Sequence, residues 1–213
     1  MTLTLHSAWR SSAAYRVRIG LNLKGLAYDV VPVNLVSSQH LEPAYAALNP
    51  ARLLPTLEAD GRTLTQSLAI LEWLDETVPE PRLLPADPFD RAVVRTMAQI
   101  VASDIHPVNN LRILRALTEL GVAEPAREAW IRRWITEGFT ALEPLIAEHG
   151  QGYAFGDAPG LADCCLLPQV YNAERFKTDL APFPAIRAAA ARAAEHPAFA
   201  AAHPNLQPDA IHA

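Results

Sequence analysis

The sequence predicts two domains of different class: an α/β domain over residues 1–80 and an all-helical domain over residues 88–213, joined by a linker at 81–87. Three observations predict this. Strand-like and helix-like patterns alternate as far as residue 78. The stretch PEPRLLPADPFD (79–90) then holds four of the chain's 18 prolines and has no hydrophobic period. Beyond it only helical spacing is found.

LTLHS (3–7) alternates apolar and polar residues and reads as a short strand. Ser11 or Ser12 can cap a helix that carries Ala14, Val17 and Leu21 on one face and stops at Lys24-Gly25, a cation followed by a terminating glycine. YDVVPV (28–33) is a second strand, and about twenty residues between two strands suit a right-handed βαβ crossover. HLEPAYAALNP (40–50) predicts a short helix closed by Asn49-Pro50. LPTLEA (54–59), Asp60-Gly61 and RTLTQ (62–66) predict a hairpin, because Asp-Gly favours a tight primed turn. SLAILEWLDETV (67–78) predicts an amphipathic helix with Ser67 at its cap. In the second half Val94, Met97 and Val101 keep helical spacing, as do Trp130, Trp134, Leu142 and Ile146. GLADCCLLPQV (160–170) is apolar nearly all round, the pattern of a buried helix.

Of the 213 residues 50% are hydrophobic, and the net charge is −5 with an isoelectric point near 5.8. That balance describes a soluble chain with no basic stripe for nucleic acid. No apolar run approaches membrane-spanning length, and MTLTLHSAWR lacks the pattern of a secretory signal. Cys164 and Cys165 are adjacent, and no second spaced pair exists to build a metal site. A cytoplasmic protein with no metal, nucleic-acid or membrane partner is expected. Dinucleotide, P-loop, zincin and nucleophile-elbow motifs are all missing.

Chemistry concentrates in WRSSAAYRVRIGL (9–21), which sets two serines and three arginines around the start of a buried helix. Such a start offers free N–H groups and a positive dipole end, so it suits an anion or a thiolate. The stretch has no thiol of its own. Taken alone, the serines read first as N-cap residues, Arg16 and Arg18 as structural ion-pair partners, Arg112 as a solvated helix residue and His40 as an ordinary surface histidine.

RSSAAYRVRIGLNLKG, LLPTLEADGRTLTQSLAILEWLDE, PRLLPADP, DIHPVNNLRIL and VYNAERF resemble the motifs of zeta-class cytosolic glutathione transferases, over about the whole chain. The resemblance implies a thioredoxin-like N-terminal domain followed by an all-α C-terminal domain, with glutathione as the source of the thiol and a homodimeric state. The class includes maleylacetoacetate isomerase of aromatic amino acid breakdown and the maleylpyruvate isomerases. The implied reaction is cis–trans isomerisation of a small dicarboxylate enone. A thiolate adds to the double bond, the resulting single bond rotates, and elimination regenerates glutathione. Maleylacetoacetate is the expected substrate; maleylpyruvate isomerisation, or general zeta-class transfer or dehalogenation, is the alternative.

By that resemblance Ser12, and after it Ser11, hold the glutathione thiolate. A free thiol of pKa about 8.5 is only about 3% ionised at neutral pH, so the site must lower it. Gln66 and Ser67 take the γ-glutamyl carboxylate, Leu54-Pro55 pairs with the cysteinyl backbone through a cis bond, and His40 meets the glycine end. Asp104 reaches the glutathione amine, and His106 lies beside glutathione and substrate. Arg10 and Arg175 are implied as the cations for substrate charge, and Asn109, Asn110 and Arg112 as further substrate contacts. Two departures from the class stand out: Ala13 replaces its cysteine, and Gly160 replaces the Ser or Thr before Asp163, which can still accept from the Gly160 N–H. Leu111 stands where similar maleylpyruvate isomerases carry arginine, which favours the longer maleylacetoacetate.

Overall fold

In β1 (Leu3–Ser7) the buried side chains are Leu3, Leu5 and Ser7, so the alternation turns one face to the core. Each leucine contributes about 2 kcal/mol by burial. A computed structural model describes residues 1–211; the last two residues of the expected helical domain, 212 and 213, lie outside the described residues. The chain forms two compact units, Met1–Leu83 together with the segment from Glu195, and Leu84–Ala194.

β1 leads into α1 (Ser12–Leu23), whose C-terminus turns at Gly25 with φ 64°. β2 (Asp29–Pro32) returns parallel to β1, in register Leu5↔Val30, as the crossover requires. The predicted helix at 40–50 is divided: a 3-10 turn covers Gln39–Leu41, and α2 (Pro43–Leu48) starts afresh. Pro43, which lacks an N–H, occupies the first turn of that second piece. β3 (Thr56–Ala59) and β4 (Arg62–Thr65) pair antiparallel around Asp60 and Gly61, at φ 47° and 77°, the two positive values a type I′ turn needs. The sheet order is β2-β1-β3-β4.

α3 (Ser67–Thr77) begins one residue earlier than Ser67 as a cap would require. Gln66 takes the cap position at φ 70°, outside helical space, and Ser67 becomes the first helical residue. α1 and α3 approach closely at Gly20, where a Cβ would stand 2.1 Å from Leu71 Cδ2. Lys24 Nζ reaches Asp75 Oδ1 at 2.7 Å and the Pro81 carbonyl at 2.6 Å, and Asp75 also accepts from Leu83 N–H at 2.6 Å. This buried ion pair anchors the proline-rich stretch.

The second unit is helical. α4 (Pro88–Gln99) is capped by Asp87 and runs into a π turn, Ile100–Ile105. A 3-10 turn (Pro107–Asn109), α5 (Leu111–Glu119) and α6 (Glu124–His149) follow. On α6 the buried stripe is Ile131, Ile135, Phe139, Leu142 and Ile146. Trp130 and Trp134 are both half-buried beside it and meet edge to face. α7 (Leu161–Arg175) is buried nearly all round, as its composition predicts. Asp163 in its first turn accepts from Gly160 N–H at 2.9 Å and Ala154 N–H at 2.7 Å, so the capping contact survives without a hydroxyl at 160. Glu143 accepts from Ala185 and Ile186 N–H at the start of α8 (Pro184–Glu195). Cys164 and Cys165 are buried in α7 and form no disulfide. Among the described residues no helix is long and apolar enough to cross a membrane.

The expected helical domain extends to 213, but the segment from Glu195 groups with the first unit. There α9 (Pro197–Ala201) packs on α1, and Asn22 Nδ2 donates to the Ala198 carbonyl at 2.8 Å. Alanine-rich sequence at 185–202 has too little pattern to reveal which unit it joins.

Gly20→Ala forces a methyl into Leu71 and is expected to cost about 1–3 kcal/mol, read as a lower melting temperature. Adding Leu71→Ala recovers part of that loss, a non-additivity that two independent sites would not give. Burial pushes the Asp163 carboxyl up to about 7 against the pull of its N–H bonds. Its folded value therefore exceeds its unfolded one, and the associated stability, complete below pH about 4, is lost as pH rises through about 7. The urea midpoint of the wild type should fall relative to that of Asp163→Asn between pH about 5 and about 8. Parallel curves would mean that the carboxyl does not titrate there.

Candidate active site

The two serines at the start of α1 have different tasks set by the backbone. Ser11 is the N-cap: its Oγ accepts from Ala14 N–H at 3.2 Å, and its own N–H donates to the Ala8 carbonyl at 3.0 Å. Ser12, at the first helical position and 8% exposed, makes no side-chain hydrogen bond among the described residues. Its hydroxyl therefore remains available to a ligand at the positive end of α1. Ala13 follows, buried. Arg10 is exposed, with its guanidinium 4.4 Å from the Trp9 ring centroid.

One turn after Ser12, Arg16 is carried into the core at 1% exposure, and its Nη1 donates to Ser67 Oγ at 3.2 Å. A guanidinium can only donate, so Ser67 Oγ must accept and its single proton is left for another partner. Arg16 thus couples the Ser12 end of α1 to the start of α3. Gln66 beside it is exposed, and its amide makes no hydrogen bond among the described residues. Its positive φ, uncommon outside glycine, turns the chain at this point.

Leu54-Pro55 is cis. The Leu54 backbone N–H and C=O make no hydrogen bond among the described residues, which leaves them open to an added strand. The segment is held from α2. Tyr45 Oη lies 2.8 Å from the Leu53 carbonyl and 2.8 Å from Thr56 Oγ1, while Asn49 Nδ2 donates to the same two oxygens at 2.8 and 3.1 Å. Tyr45 has one proton; donated to the Leu53 carbonyl, it leaves Oη to accept from Thr56. Burial pushes the phenol's pKa up and keeps it neutral. His40, buried in the preceding 3-10 turn, completes the predicted residues of this unit.

The remaining candidates belong to the helical unit. Asp104 lies exposed in the π turn, and His106 is half-buried just after it. Asn109 Nδ2 donates to the Ile131 carbonyl at 3.4 Å, and its buried Oδ1 has no hydrogen bond among the described residues. Asn110 caps α5, its Oδ1 accepting from Arg112 N–H at 3.1 Å, which leaves its amide NH₂ to donate. Leu111 is exposed in the first turn of α5, and Arg112 follows it there, also exposed. Arg175 ends α7, its guanidinium 5.3 Å from the Phe176 ring centroid.

One expectation needs correction. Arg18, read as an ion-pair partner, makes its direct hydrogen bonds to the carbonyls of Ala8, Trp9 and Ala202 and to Ser7 Oγ. Sequence reasoning also misses Arg16 as a partner of Ser67, and Tyr45 and Asn49 as supports of Leu53–Thr56. A helix with Tyr and Asn at i and i+4, ending just before Leu-Pro, is the signal available for the latter pair.

Residues 10–77 match the family model described as the glutathione S-transferase N-terminal domain. The chain is 48% identical to a maleylacetoacetate isomerase of Pseudomonas aeruginosa, over 97% of this chain and 98% of the relative. It is also 48% identical to a maleylpyruvate isomerase solved in its holo form and described as a bacterial zeta-class glutathione transferase, covering 98% of this chain and 100% of that one with a TM-score of 0.95. A maleylacetoacetate isomerase of Anaeromyxobacter dehalogenans, solved with glutathione in its active site, is 47% identical, with a TM-score of 0.90 over 99% of this chain and 98% of that one.

Tyr45→Phe removes the hydroxyl between Leu53 and Thr56 and leaves Asn49 to serve both. A loss of about 1–3 kcal/mol is expected, with faster amide exchange centred on Ala51–Leu57. Unchanged exchange in that stretch would show that Asn49 holds the segment alone.

Proposed function

That this chain belongs to the zeta class of the glutathione transferases is the premise from which we propose its function: a glutathione-dependent cis–trans isomerase acting on maleylacetoacetate. The observation that carries the reading is the division of labour at α1. Ser11 is consumed as the cap, while the buried Ser12 hydroxyl has no hydrogen-bond partner among the described residues. Glutathione, when bound, supplies the thiol that adds to the double bond and leaves after rotation.

The residues present fit such a tripeptide. The Ser12 hydroxyl donates to the sulfur and, with the end of the α1 dipole, favours its ionised form. Leu54 offers an open N–H and C=O to an extended backbone. Gln66 and Ser67 take a carboxylate at the start of α3, Ser67 with the proton that its bond from Arg16 leaves free. His40 and Asp104 complete the contacts with the glycine end and the amine.

Arg10 and Arg175, both exposed cations, bind the carboxylates of the dicarboxylate enone and stabilise the charge that develops on its carbonyl oxygen. His106, Asn109, Asn110 and Arg112 orient the same substrate. Leu111 leaves this group one cation short of a paired-arginine arrangement, which favours maleylacetoacetate over maleylpyruvate. The protein acts in the cytoplasm, in the breakdown of aromatic amino acids, as a homodimer.

The test follows both enones, with and without glutathione, by a coupled hydrolase that consumes only the trans product. Glutathione-dependent turnover with kcat/KM higher for maleylacetoacetate supports the reading; a preference for maleylpyruvate reverses the substrate assignment. Ser12→Ala is expected to lower kcat about 100-fold with little change in the KM for glutathione, and Gln66→Ala to raise that KM about tenfold with kcat nearly kept. Equal losses in both parameters for Ser12→Ala would remove it from the role of thiolate partner.

A further inference from the structure

The peptide just before the serines is gripped from both sides by residues remote in sequence. Asp209 Oδ2 accepts the Trp9 N–H at 2.9 Å, and Arg18 Nη2 donates to the Trp9 carbonyl at 3.1 Å. The same guanidinium donates through Nη1 to Ser7 Oγ at 3.0 Å and the Ala8 carbonyl at 3.4 Å, and through Nε to the Ala202 carbonyl at 3.1 Å. Arg18 is 0% exposed and lies 5.2 Å from the Tyr15 ring centroid. Burial lowers its pKa to about 10, so it remains charged at neutral pH, with Asp209 among the charges that support it. His203 packs edge to face on Tyr15 and is kept neutral by burial and by Arg18.

We propose that Asp209 and Arg18 are positioning residues for the Ser12 hydroxyl, and that the C-terminal segment is thereby a working part of the site that ionises the thiol. The proposal rests on Ser12 being the partner of that thiol. The mechanical link is short. Ala8 accepts the Ser11 N–H, Ser11 caps α1, and Ser12 is the next residue. Any drift of Ala8–Trp9 is passed to the cap and to the hydroxyl behind it. Misplacement of a reacting contact by about 1 Å costs about 100-fold in rate, so a loop with no regular structure needs such fixing. Hydrogen bonds to charged groups are the stronger kind, and in this loop one holds the N–H and another the C=O of a single residue.

Asp209 is half-exposed, so replacing it leaves the core intact. The full-length Asp209→Ala and Asp209→Asn proteins are compared with the wild type by three measurements: amide exchange of Trp9 without ligand, melting temperature, and thiolate absorbance of bound glutathione against pH. Asp209→Ala is expected to speed exchange at Trp9 at least about tenfold and to lower the thiolate fraction near neutral pH by up to about tenfold, with kcat falling more than the glutathione KM rises. Asp209→Asn, which keeps an acceptor, recovers most of both. A wild type that depresses the thiol's pKa, with an Asp209→Ala that depresses it equally, overturns the proposal alone. So does an Ala variant indistinguishable from the Asn variant. A wild type that leaves the thiol at its solution value removes the role of Ser12 and the proposal with it.

Discussion

The burial of Arg16 and Arg18 on a single helix is the constraint from which the first unit takes its form. A guanidinium removed from water is tolerable only where its donors meet oxygens in good geometry. Arg18 satisfies that demand with the carbonyls of Ala8, Trp9 and Ala202 and the Ser7 hydroxyl. It therefore dictates the path of the β1–α1 loop and draws in the chain's last segment. Arg16 reaches Ser67 and so sets the start of α3 against the start of α1. Two charges placed for structural reasons thus bring a helix N-terminus, a free hydroxyl and a second helix N-terminus into fixed relation.

Much of this is legible in the sequence where local chemistry decides. Alternation marks β1, Asp60-Gly61 marks the hairpin, and Lys24-Gly25 marks the end of α1, because each signal acts over a few residues. Ser67 shows where local reading stops. A serine at that place looks like a cap, but its hydroxyl accepts from Arg16, 51 residues earlier in the chain, and Gln66 bends the backbone in its stead. Trp130 keeps helical spacing yet stays half-buried beside the buried stripe of α6, since size and hydropathy alone do not say which of several apolar rows turns inward. Asp209 carries no motif at all. Only the folded chain brings a carboxylate 200 residues away onto the Trp9 amide.

Departures from the class pattern can be weighed in the same terms. The loss of a hydroxyl at Gly160 changes little, because the Asp163 carboxyl holds both the Gly160 and Ala154 amides. Ala13 is different in kind. It sits in the first turn of α1 and removes a sulfur from beside the Ser12 hydroxyl.

The two serines are not equivalent: Ser11 is the cap of α1, and Ser12 is its first helical residue. The chain's only cysteines, Cys164 and Cys165, are buried in α7 and cannot present a thiolate to a substrate. On the proposed reading the thiol comes from glutathione, and the protein's part is to bind it and hold it ionised. Binding asks for open backbone groups, which Leu54 has, and for donors to a carboxylate, which Gln66 and Ser67 have. Ionisation asks for a donor with no competing internal partner at the positive end of a helix. Because Ser11 already closes the cap, the helix stands without help from Ser12, and that hydroxyl remains for the sulfur that the proposed function assigns to it.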